Sequence, residues 1–282
     1  MLFFAPLPIA ASLQTRCLDG PESSRSASLV PCDTHGMRVL LDPRRPSHPG
    51  ARVTAAELAD LYAFPRRRWV RSNFVSTLDG SAVGADGLSG SINTPADNRV
   101  FALQRSLCQA VLVGAGTVRA EGYERLEPTR ARPVPPALVV VSASGRVPEG
   151  LRTPTAGRGA GVLVTCESAG ERALARARSV LGADAVLVAG GAQVDLARAL
   201  DALAERGLGQ VLCEGGPSLF ASALSAGVVD EVALSLAPTV VGGDGTRVTS
   251  GPSLGDADGI HLTPRLLLEE AGTMLGLWRV RT

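Results

Sequence analysis

Two stretches of this chain combine glycines with residues that can hold or polarise a ligand. In residues 110–122 the apolar run Ala110-Val111-Leu112-Val113 stops at Gly114-Ala115-Gly116 and restarts as Thr117-Val118-Arg119-Ala120-Glu121. A short apolar run without alternation suits a strand buried on both faces, so the pattern predicts a strand, a glycine turn and a helix with Thr117 as its N-cap. Gly114 and Gly116 permit close backbone approach, and the free N–H groups and positive dipole end of a helix start suit a phosphate. Taken alone, the segment also fits a tight strand-to-helix connection with no ligand. The second stretch, 210–220, repeats the pattern through Glu214-Gly215-Gly216-Pro217-Ser218-Leu219, with a carboxylate at the strand's carboxyl end. Ligands of open α/β sheets bind outside those ends, so the two turns predict one crevice crossed by a phosphorylated ligand.

The elements that must carry these turns follow from periodicity and punctuation. Thr54-x-x-Glu57 is a capping box ahead of Leu58, Leu61 and Tyr62 on one helical stripe. After Arg66-Arg67-Arg68, a basic run read as a solvated strand edge in preference to a phosphate grip, a strand over 69–76 leads into Thr77-Leu78-Asp79-Gly80 and a loop punctuated by Gly84, Gly87 and Gly90. A helix is expected over 97–107, with Arg105 off its apolar face. From there strands (137–141, 161–165, 185–188, 210–213) alternate with helices (171–181, 195–205, 218–226). Such alternation means βαβ units and a mainly parallel sheet. Segments 230–237, 261–270 and 273–281 contain no helix large enough to separate the last two, which predicts a carboxyl-terminal antiparallel hairpin.

Composition narrows the function classes. With 282 residues, 45% of them hydrophobic, the chain can bury a full core, and its net charge of +1 argues against a broad nucleic-acid surface. The five cysteines show no C-x-x-C spacing and read as reduced thiols of a cytoplasmic protein, and the three histidines, far apart in sequence, offer no metal site. Residues 1–36 are expected to be a disordered extension: the apolar stretch 2–11 lacks a basic leader and carries Pro6 and Pro8, 21–28 is serine-rich, and Met37 is a candidate translation start. Residues 37–65 then form a short segment with one helix, and 66–282 the main domain. No other stretch has the apolar length to span a bilayer, so no membrane role is expected.

In order and spacing, Ser76-Thr77-Leu78-Asp79-Gly80, Arg105, Val113-Gly114-Ala115-Gly116-Thr117-Val118, Glu214-Gly215-Gly216-Pro217, Val229-Asp230-Glu231 and Ala237-Pro238-Thr239-Val240-Val241-Gly242-Gly243 resemble the reductase domain of bacterial riboflavin biosynthesis proteins. The likeness covers roughly residues 66–281. It implies an α/β, dihydrofolate-reductase-like fold, with helices flanking the central sheet, that binds NADPH and reduces a ribosylaminopyrimidine phosphate. No His-x-Glu with Pro-Cys-x-x-Cys accompanies it, so the chain is expected to be a stand-alone reductase. Position by position, the resemblance assigns Ser76, Gly114, Gly116, Thr117, Glu121 and Gly215 through Leu219 (Gly216, Pro217 and Ser218 between) to the cofactor, and Ser89, Arg105 and Glu214 to the substrate.

Side-chain chemistry fits those roles. Arg105 can grip a phosphate bidentately, and Glu214 can accept hydrogen bonds from a pyrimidine ring or amine. Two departures stand out: Asn73 occupies the place of a usual lysine among the substrate contacts, and Gly122-Tyr123-Glu124-Arg125-Leu126 lacks the Asp-Pro-x-Leu wording. A pterin reductase and a non-catalytic NADPH-binding protein therefore remain alternatives. Direct hydride transfer needs no metal, and with no histidine in the motifs the proton is expected from water or substrate, organised by Asp79 or Glu214. The cofactor's 2′-phosphate is expected on Ser142-Ala143-Ser144-Gly145-Arg146, with Arg146 leading and Ser142 assisting. A homodimer is expected from the family and from an apolar sheet edge over 228–237 and the last strands.

Overall fold

From the amino end the chain forms β1 (Arg38–Leu41), α1 (Ala55–Tyr62), β2 (Trp69–Thr77), α2 (Pro95–Leu107), β3 (Ala110–Gly114) and α3 (Ala115–Glu121). Next come β4 (Ala137–Val141), α4 (Glu149–Arg152), β5 (Gly161–Thr165), α5 (Glu171–Leu181), β6 (Val186–Val188), α6 (Leu196–Glu205), β7 (Gln210–Gly215) and α7 (Pro217–Ser225). The strands β8 (Glu231–Ala237), β9 (Leu262–Glu270) and β10 (Thr273–Val280) come last. This computed structural model describes residues 36–44, 49–130, 132–152, 157–255 and 259–281. The expected extension before Gly36, with its apolar and serine-rich stretches, lies outside the described residues, as do Cys17, Cys32, His35 and His48.

Local chemistry accounts for the elements near the crevice. Thr54 and Glu57 close the capping box of α1 reciprocally: Thr54 Oγ1 accepts from the Glu57 N–H at 3.2 Å, and Glu57 accepts from the Thr54 N–H at 2.9 Å. Pro95 opens α2 two residues earlier than expected, where its missing N–H costs nothing, and Thr94 accepts from the Asp97 N–H at 3.2 Å. In β3, Val111 and Val113 face one side of the sheet and Ala110 and Leu112 the other, all at most 2% exposed. This explains the absence of alternation in the sequence.

All ten strands form one sheet in the order β1-β9-β10-β8-β2-β7-β3-β4-β5-β6. From β8 to β6 neighbours are parallel, and β10, β9 and β1 add antiparallel pairs, so the mainly parallel sheet and the terminal hairpin are both present. Helices cover both faces. Val118 of α3 and Ala177 of α5 pack with Val111, Leu138 and Leu163, while Ala199, Leu200 and Leu203 of α6 pack with Leu112, Val139 and Val211 on the opposite face. Fully burying each such leucine stabilises the fold by about 1.5–3 kcal/mol.

Three expectations need correction. β8 is an interior strand between β2 and β10, so the apolar edge on which the dimer was argued is absent; Val232, Ala233 and Leu234 pack into the clusters on the sheet's two faces. Residues 37–65 are not set apart, because β1 pairs with β9 and Met37, Leu58, Leu61 and Tyr62 join the core beside β9 and β10. Finally, α3 starts directly from the strand with Gly114 as N-cap, and Thr117 lies inside the first turn.

Candidate functional site

The crevice forms because β2 parts company with β7. Their pairing runs from Trp69 opposite Gln210 to Ser72 opposite Cys213, whereas β2 stays paired with β8 as far as Thr77 opposite Ala237. Beyond Ser72, β2 and β7 therefore splay at their carboxyl ends. On its other side β7 changes register against β3: Leu112 faces Cys213 and Val113 faces Gly215, which leaves Glu214 as the extra residue of a bulge. A bulge re-aims a side chain, and Glu214 is the side chain re-aimed.

The two glycine segments lie side by side next to this gap, at the carboxyl ends of the paired strands β3 and β7. A Cβ added to Gly114 would lie 3.7 Å from the Gly215 carbonyl oxygen, and one on Gly216 would come within 2.5 Å of Thr117 Oγ1. Gly215 has φ +84° and sits where a Cβ would strike the Phe74 ring at 2.6 Å, so only glycine fits there. Over Gly116, in contrast, a Cβ would find nothing within 4 Å, and the residue is exposed. The two glycine segments expected to share a crevice thus lie next to each other, with open space above the exposed Gly116. Ser218 bonds Ser250 Oγ at 2.9 Å at the start of α7, and Ser76 donates to the Thr77 carbonyl at 3.0 Å.

Beside the crevice, Arg105 and Glu214 face each other. Arg105 Nε donates to Glu214 Oε1 at 2.7 Å and Nη2 to Oε2 at 2.6 Å, while the Tyr123 hydroxyl donates to Oε2 at 2.8 Å. The guanidinium lies 4.2 Å from the Phe101 ring centre and 5.4 Å from that of Tyr123. Burial alone would lower the Arg105 pKa, but the Glu214 charge and its hydrogen bonds outweigh it, so the net shift is upward. Burial first, then the same carboxylate, holds the Tyr123 phenol well above its ordinary value. Burial likewise pushes the Cys108 and Cys213 thiols up to about 12, which leaves neither as a thiolate nucleophile.

These contacts alter two expected roles. Both oxygens of Glu214, whose side chain is 2% exposed, already accept hydrogen bonds, so ring recognition by Glu214 has no geometric support. The Nε–Nη2 edge of Arg105 is committed, leaving Nη1 and the second N–H of Nη2 for a ligand. Asn73, on the splayed part of β2, accepts from Gln104 Nε2 at 2.6 Å, and Gln104 is fully buried with its Oε1 unpartnered.

The remaining expected residues lie around the rim. Asp79 accepts from Thr77 Oγ1 at 2.5 Å and from the Val241 and Gly242 N–H groups at 3.1 and 2.7 Å, so it staples the 237–243 loop to the end of β2. The Thr77 hydroxyl, followed by the Gly242 N–H, lowers its pKa; an exposed carboxylate held ionised in this way organises a loop and is no proton donor. Glu121 accepts from the Ser89 hydroxyl at 3.2 Å and its N–H at 3.3 Å, joining one residue expected at the cofactor to one expected at the substrate. Ser142 and Ser144 share a 3.3 Å hydroxyl contact at the end of β4, with Arg146 exposed beside them. Arg66, Arg67 and Arg68 sit at the opposite, amino end of β2, away from the crevice; Arg68 pairs with Asp201 at 2.6 Å. Tyr123, Phe101 and Gln104 were missed in the sequence, and the unusual tyrosine after Gly122 was the available signal for the first. Among the described residues no group of three His, Cys, Asp or Glu side chains could hold a metal ion, and no helix is long and apolar enough to cross a membrane.

Comparison with known proteins gives a consistent picture. The model of the RibD C-terminal domain matches residues 68–271. The 2,5-diamino-6-ribosylamino-4(3H)-pyrimidinone 5′-phosphate reductase of Methanothermobacter thermautotrophicus is 35% identical over 206 residues, 70% of this chain and 90% of that one. The riboflavin biosynthesis protein RibD of Bacillus amyloliquefaciens is 30% identical over 196 residues, and the chain spans about half of its length (50%). Among solved structures, a pyrimidine reductase-like protein of Corynebacterium diphtheriae superposes with TM-score 0.65 at 24% identity, covering 76% of this chain and 92% of its own.

Proposed function

The chain belongs to the RibD C-terminal domain family, and on that premise we propose that it is an NADPH-dependent reductase of a ribosylaminopyrimidine phosphate in riboflavin biosynthesis. The resemblance drawn from the motifs, and the fold it implied, both hold. The observation that carries the reading is the apposition of the Gly114–Thr117 and Gly215–Gly216 segments at the carboxyl ends of β3 and β7, with open space above Gly116.

That cradle fits a dinucleotide diphosphate. Gly114, Gly116 and Thr117 form one wall and Gly215, Gly216, Pro217, Ser218 and Leu219 the other. The first N–H groups of α7 have no partners within the helix and suit an anion. Ser142, Ser144 and Arg146 at the end of β4 suit the 2′-phosphate, which is the ground for NADPH over NADH. When bound, NADPH supplies a hydride to the substrate. Arg105 keeps one edge free for the substrate's phosphate, and Asn73, bonded to Gln104, puts a neutral amide where the family usually carries a lysine. Asp79 holds the 237–243 loop at the mouth. With Asp79 kept ionised and Glu214 buried against Arg105 and Tyr123, the proton that reaches the substrate's amine nitrogen is supplied by water.

Asn73 and Gln104 also favour a second reading, reduction of a pterin, because an uncharged amide pair suits a heterocycle edge better than a second phosphate. NADPH oxidation by the purified chain, assayed in parallel with the ribosylaminopyrimidine phosphate and with dihydrofolate, separates the two; oxidation with neither sinks the reductase reading. We further propose a cytoplasmic homodimer, as expected of the family, and a monomer mass by light scattering at micromolar concentration would refute the assembly.

A further inference from the structure

We infer that Tyr123 is a positioning residue: by holding Glu214 on one edge of Arg105, it keeps the guanidinium's other edge turned out for the phosphate ester of the substrate. The inference rests on the reductase reading for its substrate but on geometry for its logic. A guanidinium has five N–H donors in a planar fork, and Glu214 takes the Nε–Nη2 edge at 2.7 and 2.6 Å. Nη1 makes no hydrogen bond or ion pair among the described residues. The Arg105 side chain is 29% exposed against 2% for Glu214, so the open edge belongs to the arginine.

A carboxylate facing an arginine has two edges to choose from, and the same Glu214 could swing to the Nη1–Nη2 edge and consume the donors a phosphate needs. The Tyr123 hydroxyl, 2.8 Å from Oε2, opposes that rotation. Its ring and that of Phe101 flank the guanidinium and restrict its plane. The tyrosine is itself well anchored. Its N–H bonds the Val118 carbonyl at 3.0 Å, its carbonyl lies against Gly150, and Arg125 next along the loop clamps the Leu151 carbonyl at 2.7 Å. The raised phenol pKa means that the hydroxyl keeps its proton, and remains a donor, throughout the neutral range.

Tyr123→Phe, which keeps volume and ring, tests the idea through its dependence on phosphate and on Arg105. The KM for the ribosylaminopyrimidine phosphate should rise about tenfold, the scale of one hydrogen bond to a charged group, with kcat changed by less than about twofold. KM for the dephosphorylated nucleoside should not move, and in an Arg105→Gln background the substitution should have no further effect. An equal rise for both substrates, or an undiminished effect without Arg105, would overturn the inference. Binding of ribose 5-phosphate alone, followed by NMR, separates this inference from the reductase reading. Loss of binding in both single variants upholds the Tyr123 role even if no pyrimidine is reduced, whereas binding indifferent to either residue refutes it. Should Tyr123→Phe fail to fold, Phe101→Leu removes the other flanking ring and should raise the same KM severalfold without affecting the nucleoside; no rise would count against the inference.

Discussion

Replacing Gly116 by alanine should make the protein more stable and its cofactor binding worse, a combination few other readings anticipate. Gly116 lies in the first turn of α3 with no positive φ, and a Cβ there meets nothing within 4 Å. Alanine should therefore fit without strain and gain about 0.5–1 kcal/mol from the lower entropy of the unfolded chain. For a chain of this length that is a rise in Tm of about 1–4 °C. If a diphosphate occupies the space above Gly116, the new methyl intrudes on it, and the usual cost of overpacking, about 1–3 kcal/mol, corresponds to a roughly 5- to 150-fold increase in Kd. Thermal denaturation and fluorescence titration with NADPH measure the two effects on one sample. Gly216→Ala is the contrast, because its Cβ would come within 2.5 Å of Thr117 Oγ1 and should lower both stability and affinity. Unchanged NADPH affinity in Gly116→Ala, with the expected gain in Tm, would show that the space above Gly116 is only solvent and that the cofactor lies elsewhere.

Three further outcomes follow from other parts of the structure. Glu231, fully buried, receives Arg71 Nε at 2.6 Å and also Arg265, and the two arginines hold the Leu61 and Tyr62 carbonyls at the end of α1; Glu231→Gln should cost about 3–5 kcal/mol in urea denaturation, and a loss below about 1 would mean the network is dispensable. Burial raises the Asp97 pKa against the bond from Ser235, so its folded pKa lies above its unfolded one. Its contribution is then fully present below the ordinary carboxylate pKa and lost as pH rises through the raised value, and Asp97→Asn should flatten stability against pH on the acid side of neutrality; an unchanged profile would refute the shift. Arg146→Ala should weaken NADPH by about 1.5–3 kcal/mol and leave NADH almost untouched, and equal loss of both cofactors would move the 2′-phosphate to another basic residue.

What the sequence determined by itself was the local half of the protein. The strands at 137–141 and 161–165 and the helix at 171–181 match the observed elements residue for residue, because burial on both faces or on one stripe leaves its period in the chain. The glycines at 114, 116, 215 and 216 were legible as marking the strand-to-helix junctions after β3 and β7 for the same reason: their chemistry is a property of the backbone at one place. Tertiary structure decided which groups meet. Arg105 and Glu214 are 109 positions apart, and their pairing depends on β7 lying between β2 and β3 and on a bulge that turns Glu214 toward α2. Strand order likewise put β8 inside the sheet, where its apolar residues had suggested an edge, and turned Asp79 from a candidate for the chemistry into the staple of a loop more than 150 residues away. Periodicity records how each segment is buried but carries no record of its neighbour, because neighbours are set by the register and splay of strands that only the assembled sheet possesses.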